Sequence, residues 1–467
     1  MTANESLRLS LQIKNLLQSD LLHVFKDDVP VNLIETKARS LKTESRERIF
    51  TPCNVILTML LSATQEDKSL QNGLNMFKAV FESNSRKAVH IEAAQLHQEK
   101  INDSVLKRNA GRPKKYRSRL PKSHQKPLCN NTAGYSIARK RLDSGLVQTV
   151  YQHSCDFGDL DQESWHGMKT YIGDGTYLQL QDTDDIRKEY TVKGQELSYP
   201  QALLQVLIRQ GSGQVSQFSL SSRHDSELAL VIPMIKKLEK NSLLLLDDLY
   251  NTYYHFCLIR SQECHVIVPG KRHRNYKVIR TIHENDQIVE ISKTTCPDYV
   301  SKEEWKSLPD KILLRRITYN YPTKNGLESA VLYTTILDLT ISTVEIVTKY
   351  TTRWDIEISI RETKTIMDIN VLRSKSREML FKELIIALTA YNLIRKVIAK
   401  TADKVGFPPQ KDIFQEYSPF GRTVLLDKKG RVFFKWSPGR YGYADGTNQQ
   451  TYNTVSKGEK ATLSKKN

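Results

Sequence analysis

Tyr171-Ile172-Gly173-Asp174-Gly175-Thr176-Tyr177-Leu178-Gln179-Leu180 reads as a strand, and the order of the elements after it decides the fold. Ala202 to Arg209 and Val215 to Leu220 are two further strand-like runs, joined through the turn-type sequence Gln210-Gly211-Ser212-Gly213, so a hairpin is expected. Asp225 to Leu238 then carries Leu228, Leu230, Ile232, Met234 and Ile235, with Lys236, Lys237 and Lys240 at its end. That is a helix pattern, which Pro233 is expected to kink. Leu243 to Leu246 is a continuous apolar run, as in a strand buried on both faces.

Strand, strand, strand, helix, strand is the opening order of a ribonuclease-H-like α/β fold. Beyond it, from about Phe256 to Val347, the pattern turns to β: His265 to Val268, Gln287 to Ile291, Ile312 to Tyr319 and Ala330 to Leu337 contain many β-branched or aromatic residues. Upstream, Leu7, Leu11, Leu16, Leu17, Leu21 and Leu22, then Ile56 to Leu61 and Leu74 to Phe81, stand at helical spacing. The expected division is a helical N-terminal DNA-binding domain over 1–105, a basic linker over 106–130 and a first catalytic part over 150–255. A β-rich insertion follows over 256–347, a second catalytic part over 348–400, and a C-terminal region over 401–467. This last region holds Arg431-Val432-Phe433-Phe434-Lys435-Trp436 and ends in a polar, Lys-containing segment expected to be disordered.

The chemistry is concentrated in acids far apart in sequence. Asp174 sits in the first strand between glycines that permit close approach of a backbone or ligand. Asp247 ends the run Leu243 to Leu246, where strand ends of open α/β sheets face the usual ligand crevice; its neighbour Asp248 competes for that position, and Asp247 is preferred because it adjoins the apolar run. Asp182, Asp184 and Asp185 read as loop charges. Tyr350, Arg353, Glu357 and Lys364 follow the spacing Tyr-x2-Arg-x3-Glu-x6-Lys, which in a helix brings them within about 60° of one another. No Pro or Gly interrupts Tyr350 to Lys364, and apolar residues continue at helical spacing from Met379 to Ile394, so a helix is the expected setting. A solvated helix face with Arg353 and Glu357 as an i,i+4 pair is the plainer reading of the same spacing. Three acids on two strands and a helix suit hard cations such as Mg2+, two of which ~4 Å apart serve phosphodiester chemistry. Arg353 and Lys364 would meet phosphate oxygens, and Tyr350 could hydrogen-bond one.

Charge agrees with a polyanionic partner. The 467 residues hold 70 basic against 52 acidic side chains, a net charge of +18, which favours nucleic acid over membrane because no basic amphipathic segment with a large apolar face stands out. Lys107 to Lys126 contains no Asp or Glu, and within it Ala110-Gly111-Arg112-Pro113-Lys114-Lys115 resembles an AT-hook, a minor-groove arm. The match is partial because Ala110 stands where the usual core has Arg, and a solvated basic linker competes with it. If the arm exists, Arg112, Lys114 and Lys115 would touch DNA. The six cysteines form no Cys-x2-Cys pair or zinc-ligand cluster and read as reduced thiols in a cytoplasmic protein. No apolar stretch approaches the ~20 residues needed to span a bilayer.

Taken together, these blocks resemble the DDE transposases of the insertion sequence 4 family, whose hallmark is the Tyr-x2-Arg-x3-Glu-x6-Lys signature. Gly173-Asp174-Gly175-Thr176 with Leu180-Gln181-Asp182-Thr183, then Leu246-Asp247-Asp248-Leu249-Tyr250, and Ala390-Tyr391-Asn392-Leu393-Ile394-Arg395 look like further family blocks, over about 165–397. One departure is Asp248, where members often have Arg. The resemblance implies cut-and-paste transposition: binding of terminal inverted repeats in double-stranded DNA, synapsis as a homodimer, metal-dependent cleavage with Mg2+ or Mn2+, and strand transfer to target DNA. It also implies end-DNA phosphate contacts by Tyr350, Arg353 and Lys364, and action on bacterial nucleoid DNA. A ribonuclease-H-like nuclease without strand transfer and a transposase-derived DNA-binding protein are the alternatives. Trp305, with Lys302 and Lys306 nearby, could offer a platform for a flipped base, although a core or surface Trp is the plainer reading.

Overall fold

A computed structural model of the chain describes residues 28–41, 50–65, 67–79, 131–161, 164–191, 198–270, 274–323 and 326–405, with small gaps at 355, 358, 361–363, 365–366 and 371, and the two segments 422–426 and 432–436. The early leucines Leu7 to Leu22, the basic linker with Arg112, Lys114 and Lys115, and the end of the chain lie outside the described residues.

Helices α1 (Val31–Ser40), α2 (Pro52–Ala63), α3 (Ala133–Arg141) and α4 (Ser144–Ser154) come first. Local chemistry starts two of them: the Thr51 side chain accepts the Asn54 N–H ahead of Pro52, and Asp143 accepts the Leu146 N–H at 3.2 Å. Next come β1 (Lys169–Gln179), α5 (Asp184–Tyr190), β2 (Gln201–Arg209) and β3 (Val215–Ser222). The single helix expected over 225–238 is two short pieces, α6 (Glu227–Leu230) and α7 (Ile232–Ile235), because Pro233 cannot continue the first and instead opens the second. β4 (Ser242–Leu245), α8 (Tyr253–Ser261) and β5 (His265–Pro269) complete the first part of the sheet.

β1, β2 and β3 are antiparallel neighbours, whereas β4 runs parallel to β1 and β5 parallel to β4. Four more strands extend the same sheet: β6 (Lys277–His283), β7 (Asp286–Ser292), then, after α9 (Lys302–Ser307), β8 (Lys311–Thr323) and β9 (Gly326–Thr334). β9 pairs antiparallel with β5, giving the order β3-β2-β1-β4-β5-β9-β8-β7-β6. The β-rich block thus prolongs the central sheet. Strand β5, inside the range 256–347, belongs with the first part of the sheet by its parallel pairing with β4, which itself runs parallel to β1.

The sheet divides two cores, as strand alternation requires. Ile172, Leu204, Leu243 and Leu245 face one side with residues of α2, α4 and the long helix α11 (Arg377–Val405); Tyr171, Leu207, Leu244 and Leu246 face the other with α7 and α8. The described N-terminal helices therefore share a core with the sheet. Asn392 of α11 fixes the contact: its Oδ1 accepts the Val215 N–H at 2.9 Å and its Nδ2 donates to the Val215 carbonyl at 3.0 Å.

The helix expected to run from Tyr350 through Ile394 is broken. α10 (Thr343–Thr351) ends in a 3-10 turn at Thr352–Trp354, helical geometry resumes at Ile356 and Glu357, and the described residues among 367–376 leave it again before α11. The physical reason is pairing with the sheet: beyond the helix the chain joins the end of β1, where Gln179 donates to the Asn370 carbonyl at 2.9 Å and Leu372 donates back to Gln179. Segments β10 (Arg422–Leu426) and β11 (Val432–Trp436) form a separate antiparallel pair. Among the described residues no helix is long and apolar enough to cross a membrane.

Candidate active site

The register of β1 with β4 positions the first two acids. Ile172 lies opposite Leu245, so continuing two residues along each chain brings Asp174 level with Asp247 on the face shared with Ile172 and Leu245. Both are half-buried, whereas Asp248 is exposed. Asp174 Oδ1 accepts the Gly175 N–H at 2.8 Å, and Asp247 Oδ1 accepts the Asp248 N–H at 2.7 Å, capping the 3-10 turn Asp248–Tyr250. Any side chain at the glycines flanking Asp174 would displace a neighbour: a Cβ on Gly173 would lie 2.6 Å from Leu246 Cδ2, and one on Gly175 2.8 Å from Glu227 Cδ.

The signature residues come to the same place. Tyr350 is buried and donates its hydroxyl to the Leu246 carbonyl at 3.4 Å, one residue before Asp247. Arg353 is buried over the Trp354 ring, its Nη2 stands 4.0 Å from Glu357 Oε1, and its Nε has no acceptor among the described residues. Burial pushes the Asp174 carboxyl above the usual carboxylate range; the Gly175 N–H and Arg353 pull it down, and Asp247 and Glu357 push it up. Lys364 is partly buried, which lowers its ammonium pKa, while Asp174 raises it. Asp174 thus feels Asp247, Arg353, Glu357 and Lys364 at once.

The acids share one field without closing around a point. Among the described residues no three His, Cys, Asp or Glu side chains stand at ion-holding distance, and the Glu357 side chain, 53% exposed, is turned toward Arg353. The donor set nevertheless fits a hard divalent cation: every acid offers oxygen only, and the buried member is destabilised by its neighbours' charge, which a cation would relieve.

Glu227 at the start of α6 was not singled out by sequence. Its carboxylate packs on Gly175, and nothing in Asp225-Ser226-Glu227 distinguishes it from an ordinary acid at a helix N-terminus. Trp305 is a core residue, 6.0 Å from the Tyr253 ring with Lys293 over its face, so it offers no open platform.

Residues 165–393 match the family described as the transposase DDE domain. Transposase InsG for insertion sequence element IS4, from Escherichia coli (strain K12), is 26% identical over 316 residues, 65% of this chain and 68% of that protein. A cryo-EM structure of a piggyBac transposase synaptic complex with hairpin DNA covers 52% of this chain and 49% of that one, at a TM-score of 0.33 and 10% identity, too slight a likeness to bear on the fold. The matched domain encloses Asp174, Asp247 and Glu357, and the chain is a DDE transposase, an enzyme of DNA cleavage and strand transfer that works with divalent metal. The similarity to InsG agrees with the resemblance to the insertion sequence 4 family carried by Tyr350, Arg353, Glu357 and Lys364.

Proposed function

We propose that this transposase performs cut-and-paste transposition, cutting phosphodiester bonds at terminal inverted repeats and joining the freed 3′-hydroxyl to target DNA, with Asp174, Asp247 and Glu357 holding Mg2+, for which Mn2+ substitutes. The observation that carries the reading is the meeting of β1, the end of β4 and the signature segment at Asp174, whose carboxyl is perturbed by Asp247, Arg353 and Glu357 together. The strand order β3-β2-β1-β4-β5, with β4 and β5 parallel to β1, supports a ribonuclease-H-like core, extended by strands β6 to β9. The division into a DNA-binding N-terminal region, linker, split core and C-terminal region is retained on this reading, with the core's fifth strand counted before the insertion.

When bound, the divalent cations supply activation of the attacking oxygen and stabilisation of the leaving one. The chain's own groups orient the DNA. Arg353, whose Nε–H has no acceptor among the described residues, stands beside Asp174 and is suited to a non-bridging phosphate oxygen. Lys364 offers a second cation on the same side. Tyr350 would reach a phosphate only by leaving the Leu246 carbonyl, so its first duty is to brace the strand end that carries Asp247. Arg112, Lys114 and Lys115 would hold flanking duplex, and two copies would pair the ends.

The test is an assay on DNA carrying the element's ends, with Mg2+ or Mn2+. Joined strand-transfer products are the expected result. Cleavage without joining would reduce the reading to a nuclease, and salt-sensitive binding without cleavage would refute it.

A further inference from the structure

Glu227 reaches the catalytic acids from the opposite face of the sheet. It begins α6, whose continuation α7 packs in the core with Leu244 and Leu246, away from α10 and α11. Its carboxylate lies against the backbone of Gly175: a Cβ there would stand 2.9 Å from Glu227 Oε2 and 3.0 Å from Gln205 Oε1. Gln205 is the β2 partner of Gly175 in the strand register, so both side chains flank the residue next to Asp174. A side chain at position 175 would push both side-chain ends aside.

What surrounds Glu227 is polar, buried and unfulfilled. Gln205 is fully buried and its Oε1 has no hydrogen bond among the described residues, while the buried Tyr250 hydroxyl lies between Glu227 and Gln205 and interacts with both. Buried amides are almost always paired in native proteins, so the unpaired Oε1 beside this carboxylate marks a place for a missing polar ligand. Burial, and then the charges of Asp174 and Asp247, hold the Glu227 carboxyl above the usual carboxylate range.

We propose that Glu227 is a fourth carboxylate of this active site, acting on the divalent cation at Asp174 and Asp247 through water, with Gln205 and Tyr250 fixing that water and the carboxylate. The inference rests on the proposed assignment of Asp174 and Asp247 as metal ligands. Water mediation follows from the placement: Glu227 approaches from the face of the sheet opposite Asp174 and Asp247, and Mg2+ keeps several waters. Outer carboxylates of this kind typically change metal affinity by about 10- to 100-fold.

The experiment titrates Mn2+ into the full-length protein without DNA, following free ion by its EPR signal, for the wild type, Glu227→Gln, Gly175→Ala and Asp174→Asn. Glu227→Gln is expected to weaken Mn2+ binding about tenfold while raising the metal-free melting temperature, because it removes a charge repelled by two others. A purely structural Glu227 would lower the melting temperature and leave Mn2+ affinity alone. Gly175→Ala should also weaken binding, with Glu227 intact but displaced, and serves if the Gln variant fails to fold. Weakened binding for Asp174→Asn with unchanged binding for Glu227→Gln or, where that variant does not fold, for Gly175→Ala, overturns this proposal and leaves the site assignment standing. Unchanged binding in Asp174→Asn would overturn the site assignment and this proposal with it.

Discussion

Replacing Arg315 by Met should destabilise the fold by about 3–5 kcal/mol, because it strands a buried charge. Arg315 of β8 and Asp286 of β7 are both essentially inaccessible to water, and the pair is bidentate, with Nε to Oδ1 at 2.9 Å and Nη2 to Oδ2 at 2.5 Å. Nη1 donates to the Asp338 and Ile341 carbonyls at 3.1 and 2.7 Å, and Asp286 Oδ2 also accepts the Thr343 hydroxyl at 2.6 Å. Removing the guanidinium leaves Asp286 with one hydroxyl and two carbonyls with nothing. Against a typical total of about 5–15 kcal/mol, that is at least about a fifth of the stability. Urea denaturation measures it as a lowered midpoint at unchanged slope. The double variant Asp286→Leu with Arg315→Met should recover most of the loss, since no uncompensated charge remains. A single variant within 1 kcal/mol of wild type, or a double variant no better than the single, would refute the reasoning. Function should suffer too: Thr343 opens α10, whose Ser342 and Glu345 form a capping box, so end cleavage should fall more than end binding as the Tyr350 to Arg353 segment loosens.

Glu357→Ala should abolish cleavage while leaving end binding largely intact, since the lost group serves the cation; cleavage at the wild-type rate would remove it from the site. Lys364→Ala should weaken end binding and make its salt dependence shallower by about one phosphate contact, which a salt titration reads directly. Asn392→Ala should cost about 1–3 kcal/mol in chemical denaturation, because the buried Val215 N–H loses its acceptor while the Val215 carbonyl keeps the Tyr151 hydroxyl. His255 gives a pH signature: buried between the Leu228 carbonyl and the Thr252 hydroxyl, its pKa is held down at about 4, so its neutral form is favoured on folding. That contribution is complete above the unfolded value near 6.5 and is lost as pH falls from there toward 4, by roughly 3 kcal/mol. His255→Gln should flatten the acid limb of stability.

Local alternation and apolar runs made most of the central sheet legible, because strands buried on both faces, such as Leu243 to Leu246, have little freedom to be anything else. The hairpin was legible for the same reason: its glycines at 211 and 213 adopt positive φ, which turn sequences advertise. Strand β6 was not, since Lys277 to His283 is an exposed edge with no face to bury and hence no pattern. The break ahead of α11 was invisible because no Pro or Gly causes it; pairing of Asn370 and Leu372 with the end of β1 does, and such long-range bonds leave no mark on local spacing. Asp174 and Asp247 could be read from position beside glycines and after an apolar run. Glu227 could not, because its meaning depends on what lies across the strand from it.

In a continuous helix Tyr350, Arg353, Glu357 and Lys364 span about 60° of the circumference. The 3-10 turn Thr352–Trp354 departs from that geometry between Tyr350 and Glu357. Depth then separates the roles: Tyr350 and Arg353 are buried against the strand end that bears Asp247, while Glu357 stands more than half exposed at the open side. On the proposed assignment, Glu357 would use that freedom to meet an incoming cation and DNA end, and Tyr350 and Arg353 would use their burial to hold the two halves of the site in register.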